Sequence, residues 1–268
     1  MASDIKDLVQ RQFGANAAKY ATSRPHAQGA SLSRLVEMVS PQAAWNGLDI
    51  ATGAGHTALA FAPHVRQMVA SDLTVQMLHV ARGLARERNV ANVVFAVAQA
   101  EQLPFADASL DLVTCRIAPH HFVDVAQFVD EVRRVLRPGG VFGLVDNVSP
   151  DAQVIDASDD ELKQAADAYN AFEKLRDPSH VRCLTLTEWT AVIDAAALRI
   201  REVELQDKSM AFATWADQMQ ASARTKDQLR QMVFSGSPAL QAFMRPQRGN
   251  EDFAFTLVEA LIVADRPR

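Results

Sequence analysis

The sequence is short of several things, and each shortage removes a class of protein. It has 2 cysteines in 268 residues, Cys115 and Cys183, so no disulfide framework holds the fold and no CxxC knuckle grips a metal. Glycine and proline number 11 each, too few for a collagen-like or low-complexity chain. Basic residues do not dominate. The 27 Lys and Arg stand against 32 Asp and Glu, a formal net charge of -5 that offers no general attraction to phosphate backbones or anionic lipid. The longest uncharged run, Ile50 to Val65, is broken by Gly53, Gly55, Pro63 and His64. It falls short of the about 20 apolar residues that a membrane span takes. The opening Met1-Ala2-Ser3-Asp4-Ile5-Lys6-Asp7 lacks the apolar stretch of a secretory leader, and a cytoplasmic location is expected. What remains is 49% hydrophobic and 22% charged, the composition of a globular chain of one or two domains.

The first 45 residues read as helical, with Leu32, Leu35, Val36 and Val39 on one face and Ser40-Pro41 as the stop. From residue 47 short apolar runs alternate with helical segments. Leu48 to Ala51, Gln67 to Asp72, Asn92 to Ala98, Leu110 to Cys115 and Val141 to Asp146 read as strands. Helices are expected through about Ala62, from Thr74 to Arg88 and from Phe122 to Leu136, and Pro138-Gly139-Gly140 reads as the turn into the fifth strand. Strands separated by helices in this way build βαβ units, hence a doubly wound, mostly parallel Rossmann-like α/β sheet. After Pro150 the alternation stops. A stripe of Leu162, Ala165, Ala166, Tyr169 and Phe172 marks one helix, Thr187 to Ala197 another, and 212–244 is helical again. Strands are expected at Ile200–Leu205 and Phe253–Ala264. The chain divides into an N-terminal helical flap (1–45), an α/β core (46–150), and helical lid segments with the last strands of the sheet (151–268).

In an open parallel sheet ligands bind at the carboxyl ends of the strands, near the switch in winding direction. The first strand–helix turn reads Asp49-Ile50-Ala51-Thr52-Gly53-Ala54-Gly55-His56. Its two glycines let backbone approach a ligand and open a helix whose N–H groups face it. With Ala58 three residues beyond Gly55, the turn also satisfies a relaxed dinucleotide fingerprint. Asp72 ends the second strand, where a carboxylate either accepts from two ribose hydroxyls or caps the next helix. Gln99-Ala100-Glu101 follows the third strand and offers a side-chain acceptor and a backbone N–H to an adenine edge.

Five segments in order carry a resemblance: D-I-A-T-G-A-G-H-T-A (49–58), A-S-D-L-T (70–74), A-E-Q-L-P-F (100–105), D-L-V-T-C-R-I-A-P-H-H-F (111–122) and R-V-L-R-P-G-G (134–140). The chain resembles the class I S-adenosylmethionine-dependent methyltransferases, in the branch of the ubiquinone/menaquinone-biosynthesis enzymes. That resemblance covers about residues 10–147 well and the remainder loosely. It implies S-adenosyl-L-methionine as cofactor and S-adenosyl-L-homocysteine as product; the acidic charge and apolar lid favour a small-molecule acceptor over nucleic acid, and no membrane partner is expected. It places Tyr20, Asp49, Ala51, Gly53, Gly55, Asp72, Leu73, Met77, Gln99, Ala100, Glu101 and Arg116 around the cofactor. The sequence departs from the family at Ala51, where Gly or another small residue is usual, at Thr52, and at Gln99, where Asp is usual. The segment Phe13 to Tyr20 is similar to one that folds over the cofactor in relatives, with Arg24 and His26 beyond it.

His120 and His121 follow the fourth strand, and a histidine there suits a general base because its pKa lies near working pH. The two are not distinguishable by sequence, and the alternative is a loop that only shapes the acceptor pocket. No H-E-x-x-H motif or Cys/His cluster calls for a metal. Three other readings stay open: a methyltransferase acting on RNA or another macromolecule, a cofactor-binding protein that does not methylate, and a nicotinamide-dependent oxidoreductase.

Overall fold

The computed structural model describes residues 2–21, 29–249 and 252–268. They gather into two compact units: Met1–Asp146 with Thr190–Glu204 and Leu261–Arg268, and Asn147–Trp189 with Leu205–Ala260. Arg24 and His26 lie outside the described residues.

In the first unit come α1 (Ala2–Ala21), α2 (Ala30–Val39), β1 (Asn46–Ile50), α3 (His56–Phe61), β2 (Gln67–Asp72), α4 (Val75–Glu87) and β3 (Val93–Val97). They are followed by β4 (Leu110–Arg116), α5 (Val125–Val135) and β5 (Leu136–Asn147); β6 (Arg199–Ala211) and β8 (Phe253–Asp265) add to the same sheet. The strand order is β3-β2-β1-β4-β5-β8-β6, and β1 pairs in parallel with β2 and β4, as do β2 with β3 and β4 with β5. The expected doubly wound, mostly parallel sheet is therefore present. Between β1 and β4 the winding reverses, which opens a crevice at their carboxyl ends. Every residue of β4 is buried, as a strand covered on both faces requires.

Several boundaries differ from the sequence expectation, β6 running on to Ala211 among them, and two of the differences have a visible physical cause. The helix after β4 starts at Val125 instead of Phe122, because Pro119–His121 forms a 3-10 turn and the Asp124 side chain then accepts from Gln127 N–H as the cap. Pro138-Gly139-Gly140 does not precede the fifth strand but bulges within it. Leu110 pairs with Leu136 while Leu112 pairs with Val141, so the extra residues loop out between those two pairs. Gly139 sits at φ 81°, and a Cβ on Gly140 would come within 2.9 Å of the Arg137 carbonyl oxygen, so both glycines are demanded by the bulge.

The second unit is mainly helical: α6 (Asp159–Arg176), the start of α7 (Leu186–Ala195), α8 (Phe212–Gln218), α9 (Ala223–Phe234) and α10 (Pro238–Met244). A capping box between Ser158 and Glu161 starts α6, and its stripe of Leu162, Ala165, Ala166, Tyr169 and Phe172 is buried as read from the sequence. Phe172 stacks on Trp215 at 4.8 Å between centroids and meets Phe255 edge-on at 5.6 Å. Phe243 and Met244 are buried with them, so these side chains of 212–244 are core. A short β7 (Gln247–Arg248) pairs antiparallel with β8.

Helix α5 buries Phe128, Val129, Val132 and Val135 at helical spacing, and Phe128 meets Phe122 and Phe142 edge-on. Phe128→Ala should therefore cost about 3–5 kcal/mol of unfolding free energy. Val94, 44% exposed on the edge strand β3, should stay within about 0.5 kcal/mol when changed to Ala. Urea denaturation of both variants measures the difference.

Candidate active site

The site is built outward from Asp49, the fourth residue of β1. Its carboxylate is 1% exposed and accepts from the hydroxyls of Thr52 at 2.5 Å and Thr114 at 2.7 Å. One side chain thus ties β1 to the turn that follows it and to β4. Burial pushes the Asp49 carboxyl up to about 6, against the pull of the two threonine hydroxyls and of Arg116. Ser71 Oγ donates to the Asp49 carbonyl, and Thr52 N–H donates to the Ser71 carbonyl, so β2 is fastened to the same turn.

The turn is wound through the left-handed region: Ala51 at φ 51°, Gly53 at 52° and Gly55 at 87°. Its two glycines serve different ends. A Cβ on Gly53 would meet nothing within 4 Å, so this residue borders open space. A Cβ on Gly55 would lie 2.9 Å from the Ala81 Cβ, so Gly55 is there to let α4 pack against the turn. The Cβ direction is thus open at Gly53 and filled by α4 at Gly55.

Asp72 closes β2, and its carboxylate accepts from Gly53 N–H and Thr74 N–H, each at 2.8 Å. The carboxylate thus steadies both the glycine turn and the turn into α4. Burial raises its pKa against those backbone N–H groups. Met77 is buried on α4, and Ala100 is buried beyond β3. Arg116 is not a surface charge: it is 9% exposed, and its Nε donates to Thr57 Oγ1 at 3.1 Å.

Helix α1 lies across the residues that follow β2 and β3. Lys6 Nζ donates to Gln99 Oε1 at 3.0 Å and pairs with Glu101 at 3.2 Å, while Gln10 Nε2 donates to the Leu73 carbonyl at 3.1 Å. Further along, Phe13 meets His121 edge-on at 5.0 Å. A cleft of about 670 Å³ remains beside these contacts, lined among others by Asp7, Gln10, Gly14, Leu73 and Gln76. Tyr20 belongs to the last turn of α1, and its side chain lies outside the described residues. The A-E-Q-L-P-F segment is held from behind by Arg134, whose guanidinium donates to the carbonyls of Leu103 and Phe105 and pairs with Glu131 and Asp107.

The two histidines, alike in sequence, are unlike in place. His120 is 8% exposed and its Nδ1 lies 2.6 Å from Oδ1 of Asp146, itself 1% exposed at the end of β5. His121 is half-buried between the His120 and Phe13 rings. Sequence reasoning missed Asp146 and Lys6. Asp146 carried a signal all the same, for it ends an apolar parallel strand just as Asp72 does. Among the described residues no group of three or more His, Cys, Asp or Glu is placed to hold a metal ion. No helix among them is long and apolar enough to cross a membrane.

A glycine turn after β1, an acid ending β2 and a winding switch beside them define an α/β nucleotide-cofactor site. Comparison with known proteins narrows this. Residues 48–144 match the family described as methyltransferase domain. The uncharacterized methyltransferase YcgJ of Bacillus subtilis (strain 168) is 39% identical over 203 residues, 76% of this chain and 76% of that protein. The crystal structure of a protein described as a putative methyltransferase from Bacillus halodurans C-125 superposes with a TM-score of 0.82 at 33% identity, covering 90% of this chain and all of that one. A ubiquinone/menaquinone biosynthesis C-methyltransferase of Rubrivivax gelatinosus is 36% identical over 109 residues, 41% of this chain and 42% of that protein. The chain belongs to the class I S-adenosylmethionine-dependent methyltransferases.

Two predictions follow from the turn's construction. Gly55→Ala should lose roughly 2–4 kcal/mol of stability, from strain plus collision with Ala81, whereas Gly53→Ala adds only strain of about 1 kcal/mol. Thermal and urea unfolding separate the two.

The second concerns Asp49, whose folded pKa lies above its ordinary value, so the native state is the better proton binder. Stability from this group is present below pH 3.8, the ordinary value, and is lost as pH rises through about 6. A shift of about two units corresponds to roughly 3 kcal/mol. The stability difference between the wild type and Asp49→Asn should change by that amount, against the wild type, between about pH 4 and pH 6.5. A difference that is flat with pH would show that Asp49 titrates normally.

Proposed function

We propose that this methyltransferase transfers the methyl group of S-adenosyl-L-methionine to a small-molecule acceptor by in-line displacement, in the cytoplasm and without a nucleic-acid or membrane partner. The observation that carries this reading is the lie of α1, which contacts Leu73, Gln99, Glu101 and His121 and so covers the strand ends where the cofactor belongs. A site roofed this way suits an enclosed acceptor better than a polymer laid across a groove. The net charge of -5 points the same way.

The residues present fit the cofactor. The open space over Gly53 receives the methionine portion, bounded by the Asp49-braced turn through Ala51 and Gly55 and by Arg116. Asp72, at the carboxyl end of β2, is the carboxylate to accept from a pair of ribose hydroxyls. Leu73 and Met77 flank the adenine, and Gln99 with the Ala100 backbone reads its edge, with Glu101 and Tyr20 at the rim. For Gln99 to serve, Lys6 has to release its amide oxygen. The bound cofactor supplies a methyl carbon already activated by the sulfonium, so the protein's task is to hold an acceptor in line and clear its proton where one is present. His120 is the proton acceptor of the pair, and His121 shapes the wall beside Phe13.

Asp72→Ala should weaken S-adenosylhomocysteine binding by about 10²-fold or more, since two hydroxyl–carboxylate bonds are lost at about 1.5–3 kcal/mol each. Calorimetry on the folded variant measures this. An unchanged affinity would remove Asp72 from the cofactor site.

A further inference from the structure

The chain leaves β4 through two backbone states that its own residues disfavour. Ile117 stands at φ 53°, and of the non-glycine residues at positive φ among the described residues it alone is β-branched. Ala118, the next residue, sits at φ -143° and ψ -33° directly before Pro119, where a proline ring pushes its predecessor toward extended angles. A glycine at 117 would make the same reversal without strain. The isoleucine makes it with its side chain anchored: half-buried, it packs against the core cluster that holds Leu35, Val39, Val141 and Val145. Its N–H donates to the Val145 carbonyl at 2.7 Å, one residue beyond the last β4–β5 pair, Arg116 with Val145. Backbone strain persists only where the surroundings over-determine it, and it gathers where a geometry has to be kept.

The reversal delivers the 3-10 turn Pro119–His121, in which His121 N–H and Phe122 N–H close onto the carbonyls of Ala118 and Pro119. On the strand side of the strained pair the chain is equally tied, since Arg116 Nε donates to Thr57 Oγ1 of α3. We propose that Ile117 is a positioning residue: its core-packed side chain wedges the strained reversal in place, and the reversal holds the turn with His120 and His121 in one geometry at the carboxyl end of β4. This inference rests on the methyltransferase reading and deepens it. With the cofactor across β1, β2 and β3, the end of β4 is the acceptor side, and its shape is set before an acceptor arrives. A residue that only filled the core would act on stability alone. The wedge acts on the turn, and it depends on a side chain branched at Cβ.

The test combines hydrogen–deuterium exchange with the ring Cε1–H NMR signals of His120 and His121, assigned with His120→Gln and His121→Gln, on full-length wild type, Ile117→Val and Ile117→Gly. In the wild type the amides of Ile117, His121 and Phe122 should exchange at least about a hundredfold more slowly than in an unstructured peptide. Ile117→Val keeps the branch at Cβ and should match the wild type within about twofold. Ile117→Gly is free at φ and has no wedge, so these three amides should exchange at least about tenfold faster, with β1 and β2 unchanged, and both histidine signals should move. Wild-type amides that exchange like an open loop overturn the proposal, as do histidine signals that stay in place in Ile117→Gly. Loosening spread evenly over the sheet also overturns it, being the result of lost core packing alone. If Ile117→Gly does not fold, Ile117→Ala, which also lacks the branch, is read in its place against the same outcomes. Calorimetry of the wild type with S-adenosylhomocysteine runs alongside. Failure to bind removes the cofactor reading, and the exchange and NMR results still judge the wedge.

Discussion

A single carboxylate cut off from water organises the site. Asp49 is held by hydroxyls from the turn and from β4, and through its backbone by Ser71 of β2, so three neighbouring strands and one turn share one buried group. Burying a carboxylate is costly unless its lone pairs are filled, and here filling them is what gives the turn its shape. With Thr52 drawn toward Asp49 and Ser71, the chain has to wind through left-handed angles at Ala51, Gly53 and Gly55. Such winding brings Gly53 N–H onto Asp72. The carboxyl ends of β1 and β2 are thus rigidly related before any ligand arrives, which is the preorganisation that a positioning catalyst needs.

Charge is distributed around this centre with some economy. Asp49 and Asp72 both have raised pKa values from burial, and Arg116 is the cation lodged nearby. Asp146 adds a further carboxylate at the end of β5 and spends it on one imidazole. Neighbouring His120 and His121 therefore differ in kind, one set in the polar interior and one against the aromatic ring of Phe13. Helix α1 engages this surface mostly through long side chains, Lys6 and Gln10. Contacts of that sort exchange readily with a ligand's polar groups, since exposed ion pairs and hydrogen bonds contribute little net stability.

Much of this could be read from the sequence because the signals were local. Short apolar runs mark the strands and a period-3.6 pattern the α6 stripe, and residues at strand ends, such as Asp72 and the glycine turn, declare themselves by position. Other features depend on neighbours distant in the chain. Asp146 pairs with a residue 26 positions earlier, and Lys6 reaches one 93 positions later, so neither pairing leaves a mark in its own window. The packing constraint on Gly55 is likewise invisible in the turn itself, because Ala81 lies on another helix. The Pro-Gly-Gly segment reads as a turn by composition, and only its pairing with β4 makes it a bulge. The start of α5 slipped because Asp124 outcompeted the apolar periodicity as the cap.

The central claim is that the cofactor lies across the carboxyl ends of β1, β2 and β3, over Gly53 and beside Asp72, under α1. Hydrogen–deuterium exchange with and without saturating S-adenosylhomocysteine tests it most directly, because it locates binding without any assumption about the acceptor. Exchange should slow at the amides of residues 51–55, 72–77 and 99–101, with the remainder of the sheet unchanged. Protection that appears elsewhere, or none at all at a concentration where other class I methyltransferases saturate, would contradict the account.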